Sequence, residues 1–242
     1  LNSATRADVK NSLELTNEVP IVGDISLPSS EEIKQRVMSY FAAQNRAVTI
    51  EDYRTLTYAM PAQFGSIKRC APARDFSEFK RNLNLYVISE DVSTGKLIRS
   101  NPTLKSNLKT WLAQYKMIND TIDILDARIV NFGVEYVIMS DRDVNRYTVL
   151  NNANLALRSH FSAVADIGEP IYITDVYKVL QKVPGIIDVL YVNMVEKAGG
   201  NYSEFSYDMD AALSPDGRFI EAERDVVFEL KYPDIDIKGS VQ

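Results

Sequence analysis

The sequence has very little of the residues that usually build catalytic and metal sites. Its 242 residues include one histidine, His160, and one cysteine, Cys70. A structural or catalytic zinc site usually takes three or four imidazole or thiolate ligands, which this chain does not supply. Because a single cysteine also excludes an intramolecular disulfide, we expect packing alone to hold the fold in a reducing compartment. Within a strand, Cys70 is predicted to be a small buried apolar residue.

Glycine is scarce as well, with 10 residues in the whole chain. No Gly-x-Gly-x-x-Gly or Walker loop is present to hold a phosphate, and no Gly-x-Ser-x-Gly elbow is present for a serine nucleophile. His160 falls in a helical pattern beside Phe161, which favours an ordinary helix residue over a general base. We therefore predict that the protein is not an enzyme, with no catalytic residues, no cofactor and no metal ion.

Positive charge is in deficit, because 27 Lys and Arg residues face 33 Asp and Glu residues and give a formal net charge of -6. Nucleic-acid affinity rests mainly on neutralising phosphates with Lys and Arg, so a nucleic-acid partner is not expected. No apolar run approaches the roughly 20 residues of a membrane span, so a membrane partner is not expected either. The first residue is Leu1 rather than Met, which predicts that the sequence is a piece of a longer protein.

Carboxylates are the one catalytic residue type that is plentiful. They are densest at 120–126 and 141–143, but neither stretch has the glycine and glutamate spacing of an EF-hand loop. We interpret Asp141 and Asp143 as residues that flank a strand end and cap the following helix. A glycosidase pair of carboxylates has no sequence signature, so a carboxylate-based hydrolase stays open as an alternative.

Apolar periodicity predicts an α+β fold of small mixed or antiparallel sheets packed by amphipathic helices, with two sub-domains and a C-terminal β-rich arm. Ser29 and Glu32 form a capping box for a helix that runs to about Gln44, and Thr49 and Asp52 form a second box. The predicted division is 1–28 as an extended lead-in, 29–140 as a first α+β domain, 141–195 as a second α+β domain, and 196–242 as a C-terminal β-rich extension.

Four further predictions concern the second half of the chain. Residues 127–139 form a long strand in which Gly133 marks a bulge or bend. Thr174 caps a short helix. Residues 186–195 form a nearly continuous apolar strand that is buried on both faces. The last nine residues, beyond Pro233, form a loose tail.

Aromatic residues give the only hint of a binding surface, with 13 tyrosines and 9 phenylalanines. Five large side chains lie in or beyond a polar, turn-rich region that has no evident core of its own. They are Tyr202, Phe205, Tyr207, Met209 and Phe219. The alternation of Phe205 and Tyr207 indicates a strand face that either returns to the main body or docks on a neighbouring protein. The return to the main body is the favoured interpretation, and the five residues are the candidate partner contacts.

Residues 45–53 read Asn-Arg-Ala-Val-Thr-Ile-Glu-Asp-Tyr. This stretch resembles the signature of the baseplate J-like family, in which Arg-Ala-Val-Thr is followed by two residues and Asp-Tyr. Physically, Thr49 caps a helix, Asp52 completes the capping box, and Tyr53 supplies the first core anchor. The resemblance continues through the helix and strands of 104–139 and the helices and strand of 145–194.

Within that family the chain looks most similar to the C-terminal half of the large wedge subunit of T-even-type phage baseplates. The resemblance implies a structural subunit of a contractile phage tail baseplate wedge, located in the virion and assembled in the host cytoplasm. It implies two kinds of partner: the chain itself, through dimer contacts that join wedges into a ring around the tail hub, and other baseplate wedge proteins.

Two alternatives from other functional classes stay open beside this prediction. One is a tail-associated glycosidase, which would need an open cleft with two carboxyl groups several ångströms apart. The other is a glycan- or receptor-binding tail module that uses the aromatic residues of the C-terminal extension.

Overall fold

The computed structural model of the protein describes residues 28–74, 82–91 and 93–242. The lead-in predicted for 1–28 lies, except for Pro28, outside the described residues. The helices are α1 (Ser30–Ala43), α2 (Ile50–Tyr58), α3 (Pro102–Ala113), α4 (Arg146–His160), α5 (Ile173–Gln181) and α6 (Pro233–Asp236). The strands are β1 (Arg69–Arg74), β2 (Asn82–Glu90), β3 (Leu97–Ile98), β4 (Thr121–Asp126), β5 (Arg128–Ser140), β6 (Ile171–Tyr172), β7 (Ile186–Lys197), β8 (Phe219–Ile220), β9 (Val226–Glu229) and β10 (Ile237–Val241). The α+β class is confirmed.

The first sheet is built around β2. This strand pairs antiparallel with β1 on one edge and parallel with β4 on the other, and β3 pairs antiparallel with its last two residues. Helices α2 and α3 pack beside the sheet and bury an aliphatic core. Leu56, Leu85, Leu108 and Leu112 are fully buried in it.

The second sheet is built around β5, the longest strand. On one edge β5 pairs antiparallel with β7, and on the other it pairs parallel with β9 along its first residues and with β10 along its second half. Helices α4 and α5 pack on this sheet and enclose a larger core, in which Val134, Leu157, Val176 and Leu180 have no exposed surface.

A third, smaller apolar cluster joins the two cores. It contains Ile88 and Leu97 from the first sheet, Ala127 from the junction before β5, and Val227 from β9. Beside it, a carboxylate on the loop after α4 is an ion-pair partner of two arginines of the first half. Asp166 lies 3.0 Å from Nη2 of Arg54 and 2.8 Å from Nε of Arg69.

The helix starts predicted at the two capping boxes are confirmed. Both capping boxes are formed, with Ser29 accepting from the backbone of Glu32 and Thr49 accepting from that of Asp52. The single cysteine, Cys70, is buried in β1 as expected.

Two predicted caps of the second half are wrong. The α4 cap is Asn145, whose side chain accepts from the N–H of Tyr147, rather than Asp141 or Asp143. Thr174 does not cap α5, because the helix already begins at Ile173.

The start of α5 is held from another part of the chain. The N–H groups of Ile173 and Thr174 donate to the carbonyl oxygen of Arg218, at 2.9 and 3.4 Å. A backbone acceptor from the β8 region thus replaces the side-chain cap, which local sequence could not predict.

The prediction that residues 186–195 are buried on both faces is also wrong. Among the described strands, β7 pairs only with β5, so it forms an edge of the second sheet. Register shifts interrupt its ladder opposite 137–140, and Ile187, Leu190 and Tyr191 are exposed. Apolar composition alone did not distinguish this edge strand from a central one.

The C-terminal residues are not a loose tail. Beyond Pro233 the chain forms α6 and then β10, which completes the second sheet beside β5. Gly239 allows this pairing, since a Cβ there would lie 2.7 Å from Cδ1 of Leu150. Gly133 marks a close approach rather than a bulge, because a Cβ would lie 2.8 Å from the carbonyl oxygen of Asp236.

The packing also bears on how the chain is divided. Strand β5 falls inside the predicted first domain, yet its side chains belong to the core that α4, α5, β9 and β10 share. The 196–242 extension supplies β8, β9 and β10 to the same half. The boundaries of the domains stay a prediction.

Candidate interaction surface

Two of the five candidate partner contacts are buried in this chain's own core. Tyr207 and Met209 both belong to the core of the second sheet. The Tyr207 ring meets Phe228 edge-on at 5.6 Å, and its hydroxyl donates to the carbonyl oxygen of Glu221 at 2.8 Å. Its backbone N–H donates to a carboxylate oxygen of Glu196 at 2.5 Å. Tyr207 is thereby fixed at both its main chain and its side chain.

Tyr202 is attached to a buried carboxylate. Its hydroxyl donates to Oδ1 of Asp236 at 2.6 Å, and the backbone N–H of Tyr232 donates to Oδ2 of the same group at 2.9 Å. The hydrogen bond to Asp236, helped by burial, raises the pKa of Tyr202 to about 12. The Tyr202 ring also packs edge-on against Tyr232, with centroids 5.4 Å apart.

The other two candidates are half-buried. The guanidinium carbon of Arg128 lies 4.6 Å from the ring centroid of Phe205, a cation–π contact. Phe219 lies in β8 with its ring centroid 6.0 Å from that of Tyr172 in β6. The structure thus brings all five residues against this chain's own elements. Their contact with a partner stays a prediction.

The single histidine and the single cysteine are not brought together. His160 ends α4 on the surface, with its ring 4.8 Å from that of Phe161. Cys70 lies in the other half of the chain, where burial raises the pKa of its thiol to about 12. Across residues 28–74, 82–91 and 93–242, no group of three His, Cys, Asp or Glu side chains is placed to hold a metal ion.

One cleft of about 480 Å³ is lined by His160 and by three acidic side chains, Glu169, Asp175 and Glu229. Burial raises the pKa of Glu229, as it would for a general acid. Both oxygens of that carboxylate are engaged, however. One accepts from the backbone N–H of Leu97 at 2.7 Å and the other from the side chain of Asn131 at 2.8 Å. These two hydrogen bonds join β9 to β3 and β5. The buried Glu229 carboxylate therefore has a structural role.

Helix α1 attaches to the body of the protein by its polar side. Glu32 pairs with Arg69 of β1 at 2.9 Å, and the guanidinium of Arg36 lies 4.1 Å from the ring centroid of Tyr58 in α2. Ala43 is the only buried residue of the helix. The contact with α2 and β1 therefore fixes which side of α1 faces solvent.

The side of α1 that faces solvent is apolar. Val37 is 62% exposed and Phe41 is 85% exposed, and three more large apolar residues accompany them. We call this set the α1 apolar face: Ile33, Val37, Met38, Tyr40 and Phe41. The spacing of these residues predicts an apolar side of the helix but not its direction, because the ion pair and the cation–π contact that orient α1 involve residues distant in sequence.

A second exposed apolar area lies on the open edge of the second sheet. Three exposed side chains of β7 lie where its ladder is interrupted: Ile187, Leu190 and Tyr191. Met139 of β5, which pairs with Asp188, is exposed as well. We call these four residues the β7 edge.

Within the described part of the chain, no helix is long and apolar enough to cross a membrane.

The fold is similar to that of a chain in a solved baseplate structure. The match is to a chain in the cryo-EM structure of the anti-feeding prophage (AFP) baseplate, 6-fold symmetrised, with a TM-score of 0.50 and 14% sequence identity. It covers 84% of this chain and 42% of that chain, so this chain spans less than half of its neighbour's length. At this identity the similarity shows a shared fold. No protein-family model matches the sequence, and no curated protein matches it.

Proposed function

We propose that the protein is a non-enzymatic structural subunit of the baseplate of a contractile, phage-like tail. The observation that carries this proposal is the fold shared with the AFP baseplate chain over 84% of this chain. The resemblance of residues 45–53 to the baseplate J-like signature supports it independently, because that resemblance rests on sequence alone.

The structural role of the signature residues agrees with this proposal. Thr49 and Asp52 cap α2. Burial acts to raise the pKa of Asp52, but hydrogen bonds from Thr49 and Val48 and the charge of Arg46 together lower it. Tyr53 is buried, and its hydroxyl donates to Asp120 at 2.6 Å. Each residue serves the fold, as expected for a signature that marks a structural family rather than a reaction.

The finer proposal is a wedge subunit that contacts both a second copy of itself and other wedge proteins. A ring of identical subunits needs either one heterologous contact or two alternating isologous contacts. The α1 apolar face and the β7 edge supply two separate apolar areas on opposite halves of the chain. Assembly in a reducing host cytoplasm fits a fold that uses no disulfide and buries its single thiol.

Disruption of the gene in the genome that encodes the protein tests this function. Electron microscopy of the released particles should show tails without a complete baseplate, and a plasmid copy of the wild-type gene should restore it. Intact contractile tails from the disrupted genome would contradict the structural role. Peptidoglycan hydrolysis by the purified protein, if lost on substitution of a carboxylate, would contradict the non-enzymatic part.

A further inference from the structure

Helix α1 is amphipathic, but it is attached to the protein in the opposite sense to most surface helices. An amphipathic helix normally buries its apolar stripe and exposes its charged side. Here Glu32 and Arg36 face α2 and β1, while Val37 and Phe41 face solvent. A capping box and an ion pair fix the helix in this position.

The exposed stripe is continuous along the helix. Ile33, Val37, Tyr40 and Phe41 follow the spacing i, i+4, i+7 and i+8, which places them on one side of an α-helix. Isolated apolar residues on a protein surface are ordinary, but a contiguous patch of large ones marks an interaction site. None of these side chains belongs to the described cores.

The size of the patch fits a protein partner. With roughly 150–250 Å² for each large side chain and the exposed fractions of the five residues, the α1 apolar face exposes roughly 500–800 Å². A standard interface takes roughly 800 Å² from each partner. One such patch on each of two copies would therefore be enough for a specific dimer.

The order of residues along α1 makes the stripe complementary to itself. If two α1 helices cross antiparallel at Val37, Ile33 of each copy lies opposite Phe41 of the other, four residues from the crossing. An antiparallel arrangement also opposes the two helix dipoles favourably.

We propose that the α1 apolar face is an isologous contact between two copies of this chain, formed by antiparallel α1 helices that cross at Val37. This inference rests on the proposed function, and it names the surface and the partner for one of the ring contacts. Ile33, Val37, Tyr40 and Phe41 of each copy face the partner in the dimer, since they share one side of the helix. The polar side of α1 stays on the body of its own subunit.

Disulfide trapping tests both the surface and the register. Cys70 is 2% exposed and its pKa is raised to about 12, so an introduced surface cysteine is the only reactive thiol. In the proposed dimer the two copies of residue 37 face each other at the two-fold axis. Mild oxidation of the full chain carrying Val37→Cys should therefore convert most of it to a disulfide-linked dimer.

Two matched variants control this experiment. The copies of residue 33 would be about 12 Å apart along the helix axis, given a rise of 1.5 Å per residue, and a disulfide needs Cα atoms within about 7 Å. Ile33→Cys should therefore stay unlinked. Tyr147, 83% exposed on α4, has the exposure of Phe41 but lies outside the patch, so Tyr147→Cys should also stay unlinked.

Several outcomes would overturn the inference. One is equal linking of Val37→Cys and Tyr147→Cys, which indicates random collision. Another is a wild-type chain that forms a dimer while the Val37→Cys variant does not link. That result would place the contact on another surface, such as the β7 edge. A third is a wild-type chain that stays monomeric together with a Val37→Cys variant whose thiol resists a maleimide, which would mean that residues 1–27 or another segment cover the stripe. None of these results bears on gene disruption, so the proposed function can stand or fall separately.

Discussion

Helix α1 and the aromatic segment of residues 202–219 contain similar amounts of large apolar side chain, and the fold uses them in opposite ways. On α1 the apolar residues face solvent and the charged ones contact the body. In the aromatic segment, Tyr207 and Met209 are buried in the core of the second sheet. Apolar content therefore does not decide which surface a protein leaves for a partner.

The polar groups of each region explain the difference. Tyr202 and Tyr207 each carry a hydroxyl that finds a protein acceptor, Asp236 and the carbonyl of Glu221. A buried hydroxyl with a partner costs little, so these rings can be enclosed. On α1 the polar groups that find partners are Glu32 and Arg36, and they draw the opposite side of the helix onto the body.

The largest expected effect comes from removing the core ring of the aromatic segment. Tyr207→Ala should lower the free energy of unfolding by about 3–5 kcal/mol, because it leaves a cavity beside Phe228 and an unpaired carbonyl. Denaturant unfolding followed by circular dichroism measures this. Tyr207→Phe, which keeps the ring, should cost about 1 kcal/mol. A loss below about 1 kcal/mol for Tyr207→Ala would mean that the segment is not part of the core.

A smaller effect is expected at Tyr202, which attaches the loop before Tyr207 to Asp236. Tyr202→Phe removes the hydroxyl that donates to Asp236, a carboxylate that is only 1% exposed. The loss should be about 1–3 kcal/mol, since a buried charged acceptor loses one of its two described donors. The same unfolding measurement applies, and an unchanged stability would show that the loop is held by other contacts.

The α2 cap formed by Thr49 and Asp52 should contribute about 1 kcal/mol, and its contribution should depend on pH. The pKa of Asp52 is lowered in the folded state, so its carboxylate stabilises the fold above its ordinary pKa of 3.8. That contribution is lost as the pH falls through the lowered pKa. Asp52→Asn should therefore destabilise the protein at pH 7 and much less at pH 2–3. An equal cost at both pH values would contradict the role of the charge.

The smallest effect on stability is expected on α1. Phe41→Gln should change the free energy of unfolding of dilute protein by less than about 0.5 kcal/mol, because the ring is 85% exposed. Paired with Tyr207→Ala, this variant compares two aromatic residues of opposite burial. A loss above about 2 kcal/mol would show that another part of the chain covers Phe41.

Local pattern was enough to predict the features that depend on neighbouring residues. The capping boxes at Ser29 and Thr49 and the burial of Cys70 follow from a few adjacent side chains, and all are confirmed. The start of α5 at the Arg218 carbonyl and the pairing of β10 with β5 join residues far apart in sequence. Periodicity contains no information on such pairings, so the edge position of β7 and the final strand were missed.

For the same physical reason, the sequence does not predict which side of α1 faces the body of the protein. Its apolar spacing predicts a helix with one apolar side, and this is what forms. Which side meets the body depends on Arg69, on Tyr58 and on the space that α2 and β1 leave between them. That information becomes available only when the first sheet is assembled.

Sedimentation equilibrium of the full chain over a range of concentrations tests the central claim, that α1 directs its apolar face toward a second copy. The wild type and Tyr147→Gln should show the mass of a dimer that dissociates on dilution. Phe41→Gln should stay monomeric to concentrations at least tenfold higher, which corresponds to about 1.4 kcal/mol of lost association energy. Equal dimerisation of Phe41→Gln and Tyr147→Gln, or a wild type that remains monomeric throughout, would contradict the claim.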